Sequence, residues 1–360
     1  MFDGEGRLLL KKGTVIAKQS QLDALISRGL YRDKSGAVNT SMQSKTQAEA
    51  IIDHTSPFEM LAEMKHHFPR LLEKIINKAP GIEKSVFSFC KKIQSLCSQD
   101  EDAMIGAVHL MHTLDYTCFH PVHVSILANI VGERLGMSAE DRLPVLAAGL
   151  TANISMLELQ QQLCKHEGAL TEEQKKVIAE HPANSVRMLV TAGVYNPVWL
   201  KVIMQHHERA DGNGYPEGVS GEEISREAQL VSIADRYAAM ISSREYREAK
   251  SSCEALKGFF EKKCSQCDEI LTLTFIKEMG IWPPGTAVKL ANGEVALVIK
   301  RNEKSMWPIV SSIIGPQGKP YASSLRRDCN DEAYRIKGIF KLNKSMPLNL
   351  SRIWGYGKQD

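Results

Sequence analysis

Between residues 57 and 280 apolar side chains recur at helical spacing almost without interruption. Leu61, Met64, Phe68, Leu71, Leu72 and Ile75 trace one face of a predicted helix. Val122, Ile126, Ile130 and Leu135 trace another, which Gly136 is placed to stop. Ser138-Ala-Glu-Asp141 and Thr171-Glu-Glu-Gln174 read as helix starts, each offering a side-chain oxygen to the backbone N–H groups of the first turn. The period changes after Pro283-Pro284-Gly285. From Ala287 to Ile299 two alternating runs are joined by Asn292-Gly293, a pair that tolerates the positive φ of a tight hairpin. Pro308 to Ile314, followed by Gly315-Pro316 and Gly318, predicts a further strand and turn. Near the beginning, Leu8-Leu9-Leu10 among glycines suggests a short strand, and Ser20 to Gly29 a capped helix. The expected organisation is mainly α. A small N-terminal α/β module (1–32) and a polar, Ser/Thr-rich linker (33–56) precede a helical domain (57–280) and a β-rich module (281–360).

The 360 residues are 43% hydrophobic and 24% charged, ample for a buried core and unlike a disordered or fibrous chain. Lys plus Arg total 45 against 42 Asp plus Glu, a net charge of +3. That balance gives no electrostatic footprint for nucleic acid, so none is expected as a partner. No apolar run approaches the ~18 residues of a membrane span. The opening residues lack a signal peptide's order of regions, so a cytoplasmic location is expected. The eight cysteines are scattered and read as reduced thiols. Cys264 and Cys267 have CxxC spacing, but no second Cys or His pair follows at zinc-site distance.

Eleven histidines are unevenly placed. His66-His67 lies in a predicted helix without a matching loop and reads as surface. His206-His207 instead ends a helix beside a polar, Gly-rich, Pro-terminated segment, a reasonable platform for metal ligands. In that segment His206-His207-Glu208-x-x-Asp211-Gly212-x-Gly214-Tyr215-Pro216 resembles the signature of HD-GYP proteins, a branch of the HD metal-dependent phosphohydrolases. His120-Pro-Val-His is similar to the family's first-His segment, and His181-Pro to its mid-domain His-Pro. Ile233-Ala-Asp235 and Ser243-Arg244-Glu-Tyr-Arg247 resemble its downstream segments. The resemblance covers about residues 110 to 250. It implies an HD-domain helical bundle and, for active members, hydrolysis of cyclic di-GMP at a site of two or three iron or manganese ions.

The family's His-Asp and the Lys that follows fall in a stretch that here reads Leu150-Thr-Ala-Asn-Ile-Ser-Met156. An ungapped register places Ala152, Asn153 and Met156 at His, Asp and Lys; a one-residue shift places Thr151 and Ala152 at the pair. Neither restores it. Tyr116 stands where active relatives carry a carboxylate four residues before the first His. A neutral Asn bridges two cations poorly, Ala offers no donor atom, and a thioether cannot stabilise charge on a transferring phosphoryl group. The resemblance leaves His181, His206 and His207 around one cation, with His120 and Asp235 belonging to another. Three imidazoles suffice for a single Fe, Mn or Zn ion. The alternative is that they now hydrogen-bond inside the bundle. In the loop, Gly212 and Gly214 permit positive φ or close backbone approach, Pro216 stiffens the exit, and Arg209, Arg244 and Arg247 are candidates for phosphate pairing. The family links this loop to contact with GGDEF-type cyclic di-GMP synthases. Three readings follow: a non-hydrolytic signalling module that binds a partner protein, cyclic di-GMP or both; a metal-dependent phosphodiesterase with an altered site; and a structural scaffold. The sequence carries no reading of oligomeric state.

Overall fold

The structure is a computed structural model that describes residues 55–111, 116–165, 168–242, 252–261, 268–302, 305–342 and 346–356. The expected N-terminal module, nearly all of the linker, Arg244, Arg247 and the Cys264/Cys267 pair lie outside the described residues. The chain divides by its internal contacts into a helical unit, Pro57–Thr286 with Val298–Pro308, and a second unit that includes Ala287–Leu297 and the residues from Ile309 onward.

The helical unit runs α1 (Pro57–Ile76), α2 (Ile82–Gln99), α3 (Glu101–Leu110), α4 (Tyr116–Arg134), α5 (Ala139–Thr151), a 3-10 turn (Ile154–Met156) and α6 (Leu157–Lys165). It continues with α7 (Glu172–Thr191), α8 (Pro197–Gln205), α9 (Arg226–Ile241), α10 (Ser252–Glu261) and α11 (Glu269–Met279). The predicted α1 stripe is buried from Leu61 to Ile75. Ser138 accepts from Asp141 N at 3.1 Å, and Thr171 and Gln174 form a reciprocal capping box at the start of α7.

Helix α4 departs from the one-face expectation. Every residue from Cys118 to Gly132 is buried, because α4 runs through the middle of the bundle with α5 and α9 against it. A helix enclosed on all sides has no polar face to show. Close approach to α5 is built in at Gly149, where a Cβ would lie 3.0 Å from Ser125 Oγ and 3.2 Å from Val124 Cγ1. Ser125 Oγ bridges the two helices, 2.9 Å from Leu146 O and 3.0 Å from Pro121 O of its own helix.

Most of a five-stranded antiparallel sheet of order β4-β3-β2-β1-β5 belongs to the second unit, only Val298–Lys300 of β2 counting with the helical one: β1 (Ala287–Leu290), β2 (Val295–Lys300), β3 (Ile309–Ile314), β4 (Pro320–Asp328) and β5 (Ile336–Ile339). A short helix, α12 (Leu350–Trp354), follows. Asn292-Gly293 makes the β1–β2 turn, with Gly293 at φ 89°. Inside this unit Glu294 is only 4% exposed. It accepts from Ser312 Oγ at 2.6 Å, Tyr321 Oη at 2.9 Å and Arg327 Nη2 at 2.9 Å. Burial pushes its carboxyl up, but these donors outweigh burial and hold it below the ordinary glutamate range. A depressed pKa means the interaction is fully present above the unfolded-state value and is lost as pH falls through the folded one. Glu294→Ala is therefore expected to cost about 3 kcal/mol at neutral pH, the Arg327 charge being left without its partner. In urea titrations the difference from the parent chain should shrink as pH is lowered below the glutamate range; a pH-independent difference would reject the ion pair as its cause.

Candidate metal centre

Helix α7 presents His181, and the end of α8 presents His206 and His207. One ligand atom of each lies within 4.8 Å of the others. The local sequence explains the aim of two of these rings. Pro182 lies inside α7 and has no N–H, so the carbonyl of Ile178, four residues back, loses its helical partner. His181 Nδ1 takes that carbonyl at 2.6 Å. In α8 the carbonyl of Ile203 is among the last four, which a helix leaves without intrahelical donors. His206 Nδ1 takes it at 2.6 Å. A carbonyl only accepts, so in both rings the Nδ1 carries the proton and donates, leaving Nε2 as the lone-pair atom.

Those two Nε2 atoms lie 3.4 Å apart. With both Nδ1 positions protonated, two neutral rings would oppose lone pair to lone pair, and one shared cation resolves the conflict. Two nitrogens each ~2.0–2.1 Å from a tetrahedral ion stand about 3.4 Å apart, so the donor pair fits a metal without rearrangement. Burial, reinforced by His206, pushes His181 down to about 3. Burial also lowers His206 and, with its neighbour His206, lowers His207 well below the ordinary range. Neutral imidazoles are the form that ligates. His207 stacks on Tyr215, with ring centroids 4.7 Å apart and an interplanar angle of 27°.

His120 and Asp235, from α4 and α9, are joined to each other, Nε2 donating to Oδ1 at 2.8 Å. Burial would raise the Asp235 carboxyl, yet the hydrogen bond and charge of His120 hold it well below the carboxylate range. Tyr116 lies flat on His120, centroids 4.7 Å apart at 17°, covering the ring.

His120, Asn153, Met156, His207, Tyr215 and Asp235 all line one cavity of about 270 Å³. Thr151 does not; its hydroxyl accepts from Trp199 Nε1 at 2.8 Å and donates to Ala147 O at 2.7 Å. Of the ungapped set, Asn153 and Met156 line the cavity and Ala152 does not. Ala152 is buried, and its carbonyl accepts from Ser185 Oγ at 2.7 Å. Ser185, Gln160 and Cys164 are further residues at the cavity or just behind it; single polar residues in α6 and α7 carry no spacing that marks them in sequence.

The loop after His207 is folded on Glu208, whose buried Oε1 accepts from Glu217 N at 2.7 Å and Gly218 N at 3.1 Å. Gly212 has φ 71°, and a Cβ on Gly214 would sit 2.5 Å from Arg209 N and from Glu208 Cα. One glycine supplies the positive φ and the other the close approach. The Tyr215–Pro216 peptide is cis. Arg209 donates to Asp211 Oδ2 at 2.6 Å, which occupies part of the guanidinium offered to phosphate.

Residues 93–269 match the family model described as HD domain. The cyclic di-GMP phosphodiesterase PA4108 of Pseudomonas aeruginosa is 29% identical over 57% of this chain and 49% of its own length. The cyclic di-GMP phosphodiesterase response regulator RpfG of Xanthomonas campestris is 32% identical over 39% of this chain and 37% of its own. The chain thus spans about half or less of the length of these curated relatives. Among solved structures, Bd1817, a HDG"Y"P protein from Bdellovibrio bacteriovorus, aligns with TM-score 0.54 and 15% identity over 63% of this chain and 73% of that one, a likeness of fold. Among the described residues no helix is long and apolar enough to cross a membrane.

Proposed function

We propose that this chain, whose residues 93–269 are an HD domain, is a signalling module that binds cyclic di-GMP and no longer hydrolyses it. The observation that carries the reading is the cavity wall. Asn153 and Met156 stand on it beside His120, Asp235 and His207, where a bridging carboxylate and a phosphoryl-stabilising cation would be required. His181, His206 and His207 would hold one Fe, Mn or Zn ion, which would supply Lewis-acid polarisation of an oxygen ligand. The chain's own residues do the rest: the Ile178 and Ile203 carbonyls orient His181 and His206, while Tyr215 braces His207. His120 donates from Nε2 to Asp235, while its buried Nδ1 is left without a hydrogen-bond partner. The loop from Glu208 to Pro216 is the surface assigned to a protein partner, a GGDEF-type synthase being the family's counterpart. The second reading, an active phosphodiesterase, is favoured by the names of the relatives and by the survival of five ligand positions.

The deciding experiment is metal analysis with a cyclic di-GMP turnover assay on protein purified anaerobically with iron and manganese. The expected result is one metal or none per chain and no linear dinucleotide or GMP. Two or more metals with product would reject the proposal in favour of the enzyme.

A further inference from the structure

His181 and His206 are each aimed by a main-chain carbonyl, whereas among the described residues no hydrogen bond fixes the ring of His207. That ring meets His206 at 4.0 Å and 41°, His181 at 5.0 Å and 74°, and Tyr215 at 4.7 Å and 27°. The first two are candidate ligands themselves, so Tyr215 is the brace from outside the cluster. Partners of this outer kind govern metal affinity by roughly 10- to 100-fold, because they hold a ligand's ring where the ion needs it. Tyr215 sits on a loop, so its own position is set by whatever closes that loop. At the near end Tyr215 N donates to His207 O at 3.3 Å. Gly214 lies against the backbone of Glu208 and Arg209 too closely for any side chain. The far end is held by Glu208. Its carboxylate is 3% exposed and accepts on one oxygen from Glu217 N at 2.7 Å and Gly218 N at 3.1 Å, nine and ten residues further on. The other oxygen is buried and has no hydrogen-bond partner. Bonds from main-chain N–H to a charged acceptor are about twice as strong as neutral ones, which makes this side chain a staple across the loop.

We propose that Glu208 is a positioning residue for the metal centre: its carboxylate closes the loop, the closed loop sets Tyr215 on His207, and loop and ion are thereby coupled. The inference rests on the three-imidazole centre of the proposed function. Its test is a titration of Co²⁺, followed by visible absorption, into the full chain and into Glu208→Ala, Glu208→Gln, Tyr215→Ala and the double alanine variant. Glu208→Ala should weaken Co²⁺ binding roughly 10- to 100-fold, and Tyr215→Ala by a similar factor. Glu208→Gln should bind like the parent, because its oxygen still accepts from both N–H groups and its nitrogen replaces an atom that bonds to nothing. The double variant should bind no more weakly than the weaker single one, since both residues act along one path. Linkage also requires saturating Co²⁺ to slow amide exchange at Glu217 and Gly218 in the parent, an effect that Tyr215→Ala should abolish. Undiminished Co²⁺ binding in Glu208→Ala, or additive losses in the double variant, overturns the role of Glu208 and leaves the imidazole centre standing. A parent chain that takes up no Co²⁺ overturns the centre itself. Should Glu208→Ala fail to fold, Tyr215→Ala carries the test, and undiminished binding there removes the brace on which the role of Glu208 depends.

Discussion

Installing the missing set together, Ala152→His with Asn153→Asp and Met156→Lys, is expected to raise cyclic di-GMP hydrolysis at least about 10³-fold above the parent chain. The magnitude follows from the ~10²–10³ that one preorganised stabiliser of transition-state charge commonly contributes. Asn153 and Met156 already line the cavity with His120, Asp235 and His207, so a carboxylate and an ammonium introduced there enter the right space. The aspartate would enter the space beside the His120–Asp235 hydrogen bond. Groups that act as a unit are strongly non-additive, so each single substitution should leave the rate near that of the parent. Ala152 is buried, and a larger side chain there should cost roughly 1–3 kcal/mol through overpacking. Product analysis and metal stoichiometry on the folded triple variant are the readouts. A folded variant that binds two metals yet turns over nothing would show that the proposed deficit lies elsewhere.

Where the parent chain holds one ion, the paired substitution His206→Ala with His207→Ala should lower metal occupancy to below about 0.1 per chain. Losing even an outer-shell partner commonly costs 10- to 100-fold in metal affinity, and here two direct donors of three would go. The fold should survive, because the surrounding core is carried by side chains that the change leaves alone, among them Trp199, Val202, Ile203 and Tyr237. Far-UV circular dichroism should match the parent while elemental analysis diverges from it. Full occupancy in the double variant would remove the imidazole cluster as the metal centre.

Much of this architecture is legible in the chain because it is written locally. An apolar stripe such as Leu61 to Ile75, a cap such as Ser138 or Thr171, and the Asn292-Gly293 turn each depend on neighbours within a few residues. The outer strands are harder to see. Pro320–Asp328 and Ile336–Ile339 are the two edges of the sheet, and β4 alternates poorly, with several exposed or half-buried positions, since an edge strand favours polar groups that discourage further pairing. The candidate ligand residues are legible from the His-His string and its flanking motifs. Their setting is not. That Tyr116 covers His120, that Gln160 reaches the cavity, and that Ser185 holds the Ala152 carbonyl are contacts between distant segments, and no spacing along the chain encodes them.

The proline after His181 leaves one main-chain carbonyl with nothing to accept from except the imidazole beside it. Main-chain atoms are outside the reach of the genetic code: no codon change deletes the Ile178 acceptor, and only regaining an N–H at position 182 would set up a rival for it. The same holds for the Ile203 carbonyl at the end of its helix. A carboxylate, an imidazole or an ammonium at 152, 153 or 156 has no such protection and vanishes with one substitution. A histidine kept at 181 or 206 therefore keeps the direction of its Nε2 whatever changes at 152, 153 and 156.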